Sequence, residues 1–282
     1  MKHCQSIDEM RAARRTARRD AKTVGLVPTM GALHEGHLSL VRAARDRCDL
    51  VVASIFVNPL QFGPNEDLAQ YPRNFDQDRD LLRQEGVDFV FAPSVEEMYP
   101  AGALTYVTVE GLSDKLCGRS RPGHFRGVTT VVSKLFNIVE PHQAFFGQKD
   151  AAQSTIIRRM VCDLNIPVQV VVCPIVREPD GLAMSSRNAY LDAPQRQSAM
   201  VLYRALMAVQ ERFDRGERRV HTLIEAGVQT FAVVPSVRLD YLEIVHPETL
   251  DPVDNLSRPA LVAAAASVGK ARLIDNIVLG PA

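Results

Sequence analysis

The sequence predicts an α/β protein, a doubly wound parallel sheet followed by a smaller C-terminal α+β domain. Three observations predict it. Residues 50–57, Leu-Val-Val-Ala-Ser-Ile-Phe-Val, are a continuous apolar run, the pattern of a parallel strand buried on both faces. Residues 24–28 are a second short apolar run, joined to the first by a glycine-containing turn and by residues 38–47, where Leu38, Val41 and Ala44 or Arg45 mark one helical face. Helical and strand patterns then keep alternating as far as residue 173, which favours an open sheet covered by helices.

In order along the chain, residues 9–22 read as a helix carrying Arg11, Arg14, Arg15, Arg18 and Arg19. Strand 24–28, helix 38–47 and strand 50–57 form a βαβ unit, whose crossover is right-handed. Helices at 76–85, 127–139 and 151–164 alternate with strands at 87–92, 144–146 and 168–173. Ligands of such a sheet belong at the carboxyl ends of its strands, where Met30, Asn58 and Gly147 fall. Past Val176 the texture changes: residues 177–188 are polar and loop-like, 195–212 and 220–232 read as helices, and 239–245 and 273–278 as strands. The expected domains are therefore 1–175 and 176–282.

The composition, 46% hydrophobic and 23% charged over 282 residues, is that of an ordinary globular protein. Lys plus Arg equals Asp plus Glu at 33 each, so no global field advertises nucleic acid or membrane, and a polyanion needs a local site. Five cysteines without Cys-x-x-Cys spacing indicate neither a disulfide framework nor a zinc ribbon. The N-terminus lacks the apolar run of a signal peptide, and the alanine-rich stretch 260–268 is too short to span a bilayer. A cytoplasmic protein with reduced thiols is expected.

Candidate chemistry begins at the first turn, Pro28-Thr-Met-Gly-Ala-Leu-His34-Glu-Gly-His37, which has neither a dinucleotide fingerprint nor a P-loop. Two histidines three apart at a helix start can converge on one small volume. Helix amides and partial positive charge favour phosphate there, and imidazole donors can follow charge in a phosphoryl transition state. Metal ligation and ordinary histidines are the other readings of the pair. Asn58 and Gln61, in Phe56-Val-Asn-Pro-Leu-Gln-Phe62, are amides at a strand end that suit a carboxylate, hydroxyl or amine in an apolar pocket. Lys149, in Phe146-Gly-Gln-Lys-Asp150, is a point charge for a triphosphate, with Asp150 a helix-cap candidate and Gln153 one turn further on. Ser185, Ser186 and Arg187 suit a mobile phosphate clamp, or else Ser186 and Asn188 are turn or cap residues.

The ordered set formed by these motifs, with Tyr71-Pro-Arg73 and Arg121-Pro-Gly-His124-Phe, resembles the pantoate–β-alanine ligase family, most strongly over residues 24–191. That resemblance implies a Rossmann-like N-terminal domain related to class I aminoacyl-tRNA synthetases, a C-terminal lid and a homodimer. It implies condensation of (R)-pantoate with β-alanine through a pantoyl adenylate, with ATP and Mg²⁺, releasing AMP and pyrophosphate. Carried over, Met30, Gly31, Ala32, Leu33, His34, Glu35, Gly36 and His37 line the ATP site, with His37 a proton donor and His34 and Lys149 further catalytic candidates. Gly147, Gln148, Lys149, Asp150, Val176, Met184, Ser185, Ser186 and Arg187 hold more of the nucleotide, and Gln61, Gln153 and Asn58 the substrates. One departure from the family pattern is Gln148, where a glutamate is usual. Asp76 and Asp78 are both candidates for approach to Mg²⁺. The competing readings are a nucleotidyltransferase acting on a phosphorylated acceptor, and an RNA-binding protein using the Arg11–Arg19 face.

Overall fold

The computed structural model describes residues 1–64 and 66–280. Its elements are β1 (Lys2–Cys4), α1 (Ile7–Arg19), β2 (Val24–Thr29), α2 (Glu35–Arg45), β3 (Leu50–Ile55), α3 (Phe75–Gln84), β4 (Phe89–Phe91), α4 (Val95–Met98), α5 (Cys117–Ser120), α6 (His124–Val139), β5 (Gln143–Gly147) and α7 (Ala151–Asp163). They continue as β6 (Gln169–Cys173), α8 (Ala193–Ala199), α9 (Val201–Asp214), α10 (Val220–Gln229), β7 (Val237–Val245), β8 (Ala260–Val268) and β9 (Ala271–Leu279). The chain forms two compact units. One comprises Met1–Ser113, Arg121–Gly147 and Ile156–Pro174, and the other Asp114–Ser120, Gln148–Thr155 and Ile175–Ala282.

The first unit is built on a six-stranded sheet in the order β1-β4-β3-β2-β5-β6, with every pairing parallel. The expected α/β, Rossmann-like sheet is what the chain forms. From β2 the sheet grows outward through β3 and β4 on one side and through β5 and β6 on the other. The β2–β5 junction is thus the topological switch point, whose carboxyl end is where such sheets bind ligands. Val27, Val51, Ala53, Val90 and Phe145 are fully buried in it, packed with Leu40, Val41 and Ala44 of α2. The predicted strand over 50–57 ends at Ile55, and the chain passes into a 3₁₀ turn over Pro59–Gln61 that Asn58 caps.

The second unit carries an antiparallel sheet, β7-β8-β9. Leu202, Leu206 and Val209 of α9 and Leu223 of α10 close its core against Leu242, Ile244, Val262 and Leu273. A Cβ on Gly227 would stand 2.8 Å from Leu242 and 3.2 Å from the Ala205 carbonyl, so glycine permits this close helix contact. The alanine-rich run, read from sequence only as too short for a bilayer, is the central strand β8. Alanine favours helix intrinsically, but ladders on both sides satisfy this strand's backbone and override the preference. The predicted helix over 195–212 is two helices, with a tight turn at Met200.

Candidate active site

The first unit's site residues stand just beyond the ends of β2 and β3. Gly31 (φ 80°) and Ala32 (φ 50°) turn the chain in the left-handed region. Asp78, 3% exposed on α3, accepts the amide of Ala32 on Oδ2 and that of Leu33 on Oδ1, both at 2.8 Å. A Cβ on Gly31 would come 2.8 Å from Asp78 Oδ2, so glycine is required there for both backbone and space. Burial holds the Asp78 carboxyl above its ordinary range, against the pull of those two amides.

His34 is the N-cap of α2. Its Nδ1 accepts the Gly36 amide (3.1 Å), and Nδ1 of His37 accepts the His34 amide (3.4 Å). The rings lie 4.2 Å apart between centroids. Since each Nδ1 is an acceptor, each neutral ring carries its proton on Nε2, as a donor. One of the amides at this helix start, that of Gly36, is thus capped by His34.

Asn58, 1% exposed, is a hub. Its Nδ2 donates to the Gly127 carbonyl and to Gln61 Oε1 (3.0 Å each), and its Oδ1 accepts from Tyr99 Oη (2.8 Å) and the Leu60 amide (3.3 Å). Gln61 Nε2 lies 3.0 Å from Met30 Sδ. The Gln61 carbonyl accepts from His124 Nδ1 (2.8 Å) and Arg121 Nη2 (3.3 Å). Because Arg121 Nη1 can only donate, His124 accepts it on Nε2 and keeps its proton on Nδ1. Glu66 anchors Arg121. Burial works to raise the Glu66 carboxyl, but Arg121's hydrogen bond and charge bring it below its ordinary value. At Gly127 a Cβ would stand 2.3 Å from the Leu60 carbonyl oxygen, so α6 presses backbone to backbone on the turn bearing Gln61. Gly147 ends β5 in this same unit.

In the second unit, Gln148, Lys149 and Asp150 form a 3₁₀ turn before α7, and Lys149 Nζ lies 3.4 Å from Asp150 Oδ2. Asn276, 3% exposed, grips this turn: its Nδ2 donates to the carbonyls of Gln148 (2.9 Å) and Lys149 (3.0 Å). Its Oδ1 accepts from Gln148 Nε2 (3.0 Å), a bond that uses the amide hydrogen a glutamate lacks. Gln153 follows in the first turn of α7.

Residues 177–188, expected as a polar loop, carry a bridge and a 3₁₀ turn. Arg177 pairs with Ala183, Met184 donates its amide to the Val176 carbonyl (3.0 Å), and Gly181 (φ 97°) turns the strip under Tyr203. The Arg177 guanidinium holds the buried Asp275 carboxylate at 2.7 and 2.9 Å. Burial nevertheless pushes the Asp275 carboxyl up. Ser185 caps a 3₁₀ turn over Ser186–Tyr190 by accepting the Arg187 amide (3.2 Å), and Asn188 ties the turn to Glu178 (2.8 Å). The cap is thus Ser185, next to the residue the sequence suggested.

Among the described residues no three His, Cys, Asp or Glu side chains cluster to hold a metal ion. Asp76 is exposed and paired with Arg79, whereas Asp78 belongs to the turn. Sequence reasoning missed Glu66, Tyr99, Gly127, Arg177, Asp275 and Asn276, whose roles are contacts with residues distant in the chain. Arg121 and His124 carried a signal in their motif but no assigned role.

Residues 2–278 match the model of the family described as pantoate-beta-alanine ligase. A pantothenate synthetase of Koribacter versatilis is 62% identical over 99% of this chain and 96% of its own length, and that of Thermotoga petrophila 58% identical over 99% and 100%. The crystal structure of pantothenate synthetase from Thermus thermophilus superposes with a TM-score of 0.94 at 51% identity, covering 98% of this chain and 99% of that one. A pantoate-beta-alanine ligase from Francisella tularensis, solved as a complex with beta-gamma ATP and beta-alanine, superposes with a TM-score of 0.81 at 34% identity over the whole of both chains. The chain belongs to the pantoate-beta-alanine ligase family.

Proposed function

We propose that this chain condenses pantoate with β-alanine by ATP-dependent formation of a pantoyl adenylate. Within the site, the observation that carries the reading is the pairing of His34 and His37 at the start of α2 with Gln61 held on Met30. It combines Nε2 donors suited to phosphate with an amide suited to a small polar acid.

The pantoate carboxylate attacks the α-phosphorus of ATP. An O–P bond forms, the bond to pyrophosphate breaks, and the mixed anhydride is left. The amine of β-alanine then attacks the acyl carbon, the C–N bond forms, AMP departs and the amine loses a proton. In this scheme Met30, Gly31, Ala32, Leu33, His34, Glu35, Gly36 and His37 bind ATP, and the Nε2 donors of His34 and His37 meet charge growing on the phosphates. Lys149 supplies a cation. Gly147, Gln148, Asp150, Val176 and Met184–Arg187 complete the nucleotide contacts. Gln61 and Gln153 orient the acid and the amine, and Asn58 acts through its grip on Gln61. Mg²⁺ would supply further neutralisation of the triphosphate charge, beside the cation that Lys149 provides.

The proposal includes residues 176–282 as a lid, a homodimer as the assembly and the cytoplasm as the compartment. Five free cysteines accord with a reducing compartment, and among the described residues no helix is long and apolar enough to cross a membrane. The test is pyrophosphate release from ATP. Release that requires pantoate, with the pantoyl adenylate detected by mass and consumed on adding β-alanine, is the expected result. Release driven instead by a phosphorylated acceptor would overturn it.

A further inference from the structure

A cavity of about 660 Å³ lies within the first unit at the opposite ends of the strands from Met30 and Gly147. Val24, the first residue of β2, lines it, as do His142 and Val168, which immediately precede β5 and β6. The carboxyl-terminal ends of α1, α6 and α7 converge on it, and each is closed by a lining residue in the left-handed region: Ala21 (φ 51°), Glu140 (φ 44°) and Asn165 (φ 51°). A left-handed residue is a common closure for a helix carboxyl end, and here all three closures face one space.

The charges in the cavity do not balance. Arg14, Arg18 and Lys22 line it with a single carboxylate, Glu140, which is ion-paired with Arg14. Among the described residues Arg18 and Lys22 have no ion pair. Asp49, the carboxylate that feels Lys22, is occupied by the amide and hydroxyl of Thr23. Burial, followed by the charges of Arg18 and Arg15, pushes the Arg14 guanidinium below its ordinary value. Helix carboxyl ends carry partial negative charge, but several of their last carbonyls are capped by the amides of Ala21, Lys22, Glu140, Asn165 and Ile166. His142 Nδ1 accepts the Val24 amide (3.0 Å), so its neutral ring has a donor on Nε2. The rest of the wall mixes the amides of Asn137 and Asn165 with an apolar part formed by Phe136, Ile166, Pro167 and the half-exposed Leu164.

We propose that this cavity is a second ligand site, separate from the adenylation residues, which takes a small phosphate monoester with an apolar body. Arg18, Lys22 and His142 Nε2 face the dianion, and Phe136, Leu164 and Pro167 face the body. A dianion matches the surplus of two cations over Glu140.

Phenyl phosphate, benzoate and inorganic phosphate are titrated calorimetrically into the intact protein with its nucleotide site saturated by ATP, and into the Arg18→Gln/Lys22→Gln variant. Phenyl phosphate is expected to bind the parent at least about tenfold more tightly than either other probe, and to lose about tenfold or more in the variant. Adenylation by the variant at saturating ATP is expected to be unchanged, which establishes that it folds. No binding of phenyl phosphate with ATP present, whether because the cavity takes no ligand or because another copy covers it, overturns the proposal. Equal binding by the variant overturns it too. Benzoate binding as well as phenyl phosphate removes the dianion, and inorganic phosphate binding as well removes the apolar body.

Discussion

The Leu33 amide donates to Asp78 Oδ1 at 2.8 Å, fixing a glycine turn to a buried carboxylate 45 residues further along the chain. The second oxygen holds Ala32, so both arms of the carboxylate hold the loop that precedes His34 and His37.

Asp78→Asn retains one acceptor and turns an amide donor toward a backbone N–H. The expected loss is about 1–3 kcal/mol of stability, together with slower adenylation. The pH dependence has a definite sign. Burial raises the folded-state value of Asp78 above its ordinary 3.8, so between those values the folded state binds more protons than the unfolded. Its contribution to stability therefore falls as pH rises through that window. The deficit of Asp78→Asn relative to the parent should widen as pH is lowered from neutral toward 4 (roughly the ordinary carboxylate range), in urea titrations at each pH. A deficit that narrows would contradict the raised value.

His37→Ala should slow adenylation by about 100-fold or more, because a donor to the phosphates acts mainly in the transition state. Losing the cap on the His34 amide costs only about 1 kcal/mol, so the variant stays folded. Single-turnover pyrophosphate release beside a thermal melt separates the two effects. Near-normal release would remove His37 from the mechanism.

Gln61→Ala should raise the KM values for pantoate and β-alanine and leave ATP affinity nearly intact. Gly127→Ala should reproduce that pattern without touching Gln61, since its methyl group would stand 2.3 Å from the Leu60 carbonyl oxygen and displace the turn. Steady-state kinetics with each substrate varied in turn would check both, and an equal loss of ATP affinity would place Gln61 elsewhere.

Arg177→Ala leaves the carboxyl of Asp275, 3% exposed, without its guanidinium. About 3 kcal/mol of stability should be lost, the cost of an uncompensated buried charge. Asp275→Asn in the same chain should restore part of it, measured as urea midpoints. A single variant as stable as the parent would show that the pair contributes nothing.

The sequence by itself determined the parallel sheet and the position of the polar motifs at its ends, because both are written in local patterns. Apolar runs such as 50–57 have one economical solution, a strand buried on both faces, and His34, Gln61 and Lys149 stand in contiguous motifs. The carboxyl ends of β2 and β5, which carry Met30 and Gly147, were likewise legible from the alternation of strands and helices. Only the tertiary structure decided how those side chains are held. Asp78 beneath the Ala32–Leu33 amides, Gly127 against Leu60, Asn276 on the Gln148–Lys149 turn and Asp275 on Arg177 are contacts between residues distant in sequence. No periodicity encodes such pairs, because each exists only once packing has brought two separate segments within hydrogen-bonding distance. The same holds for β8, whose alanines favour helix locally and become a strand through the ladders on either side.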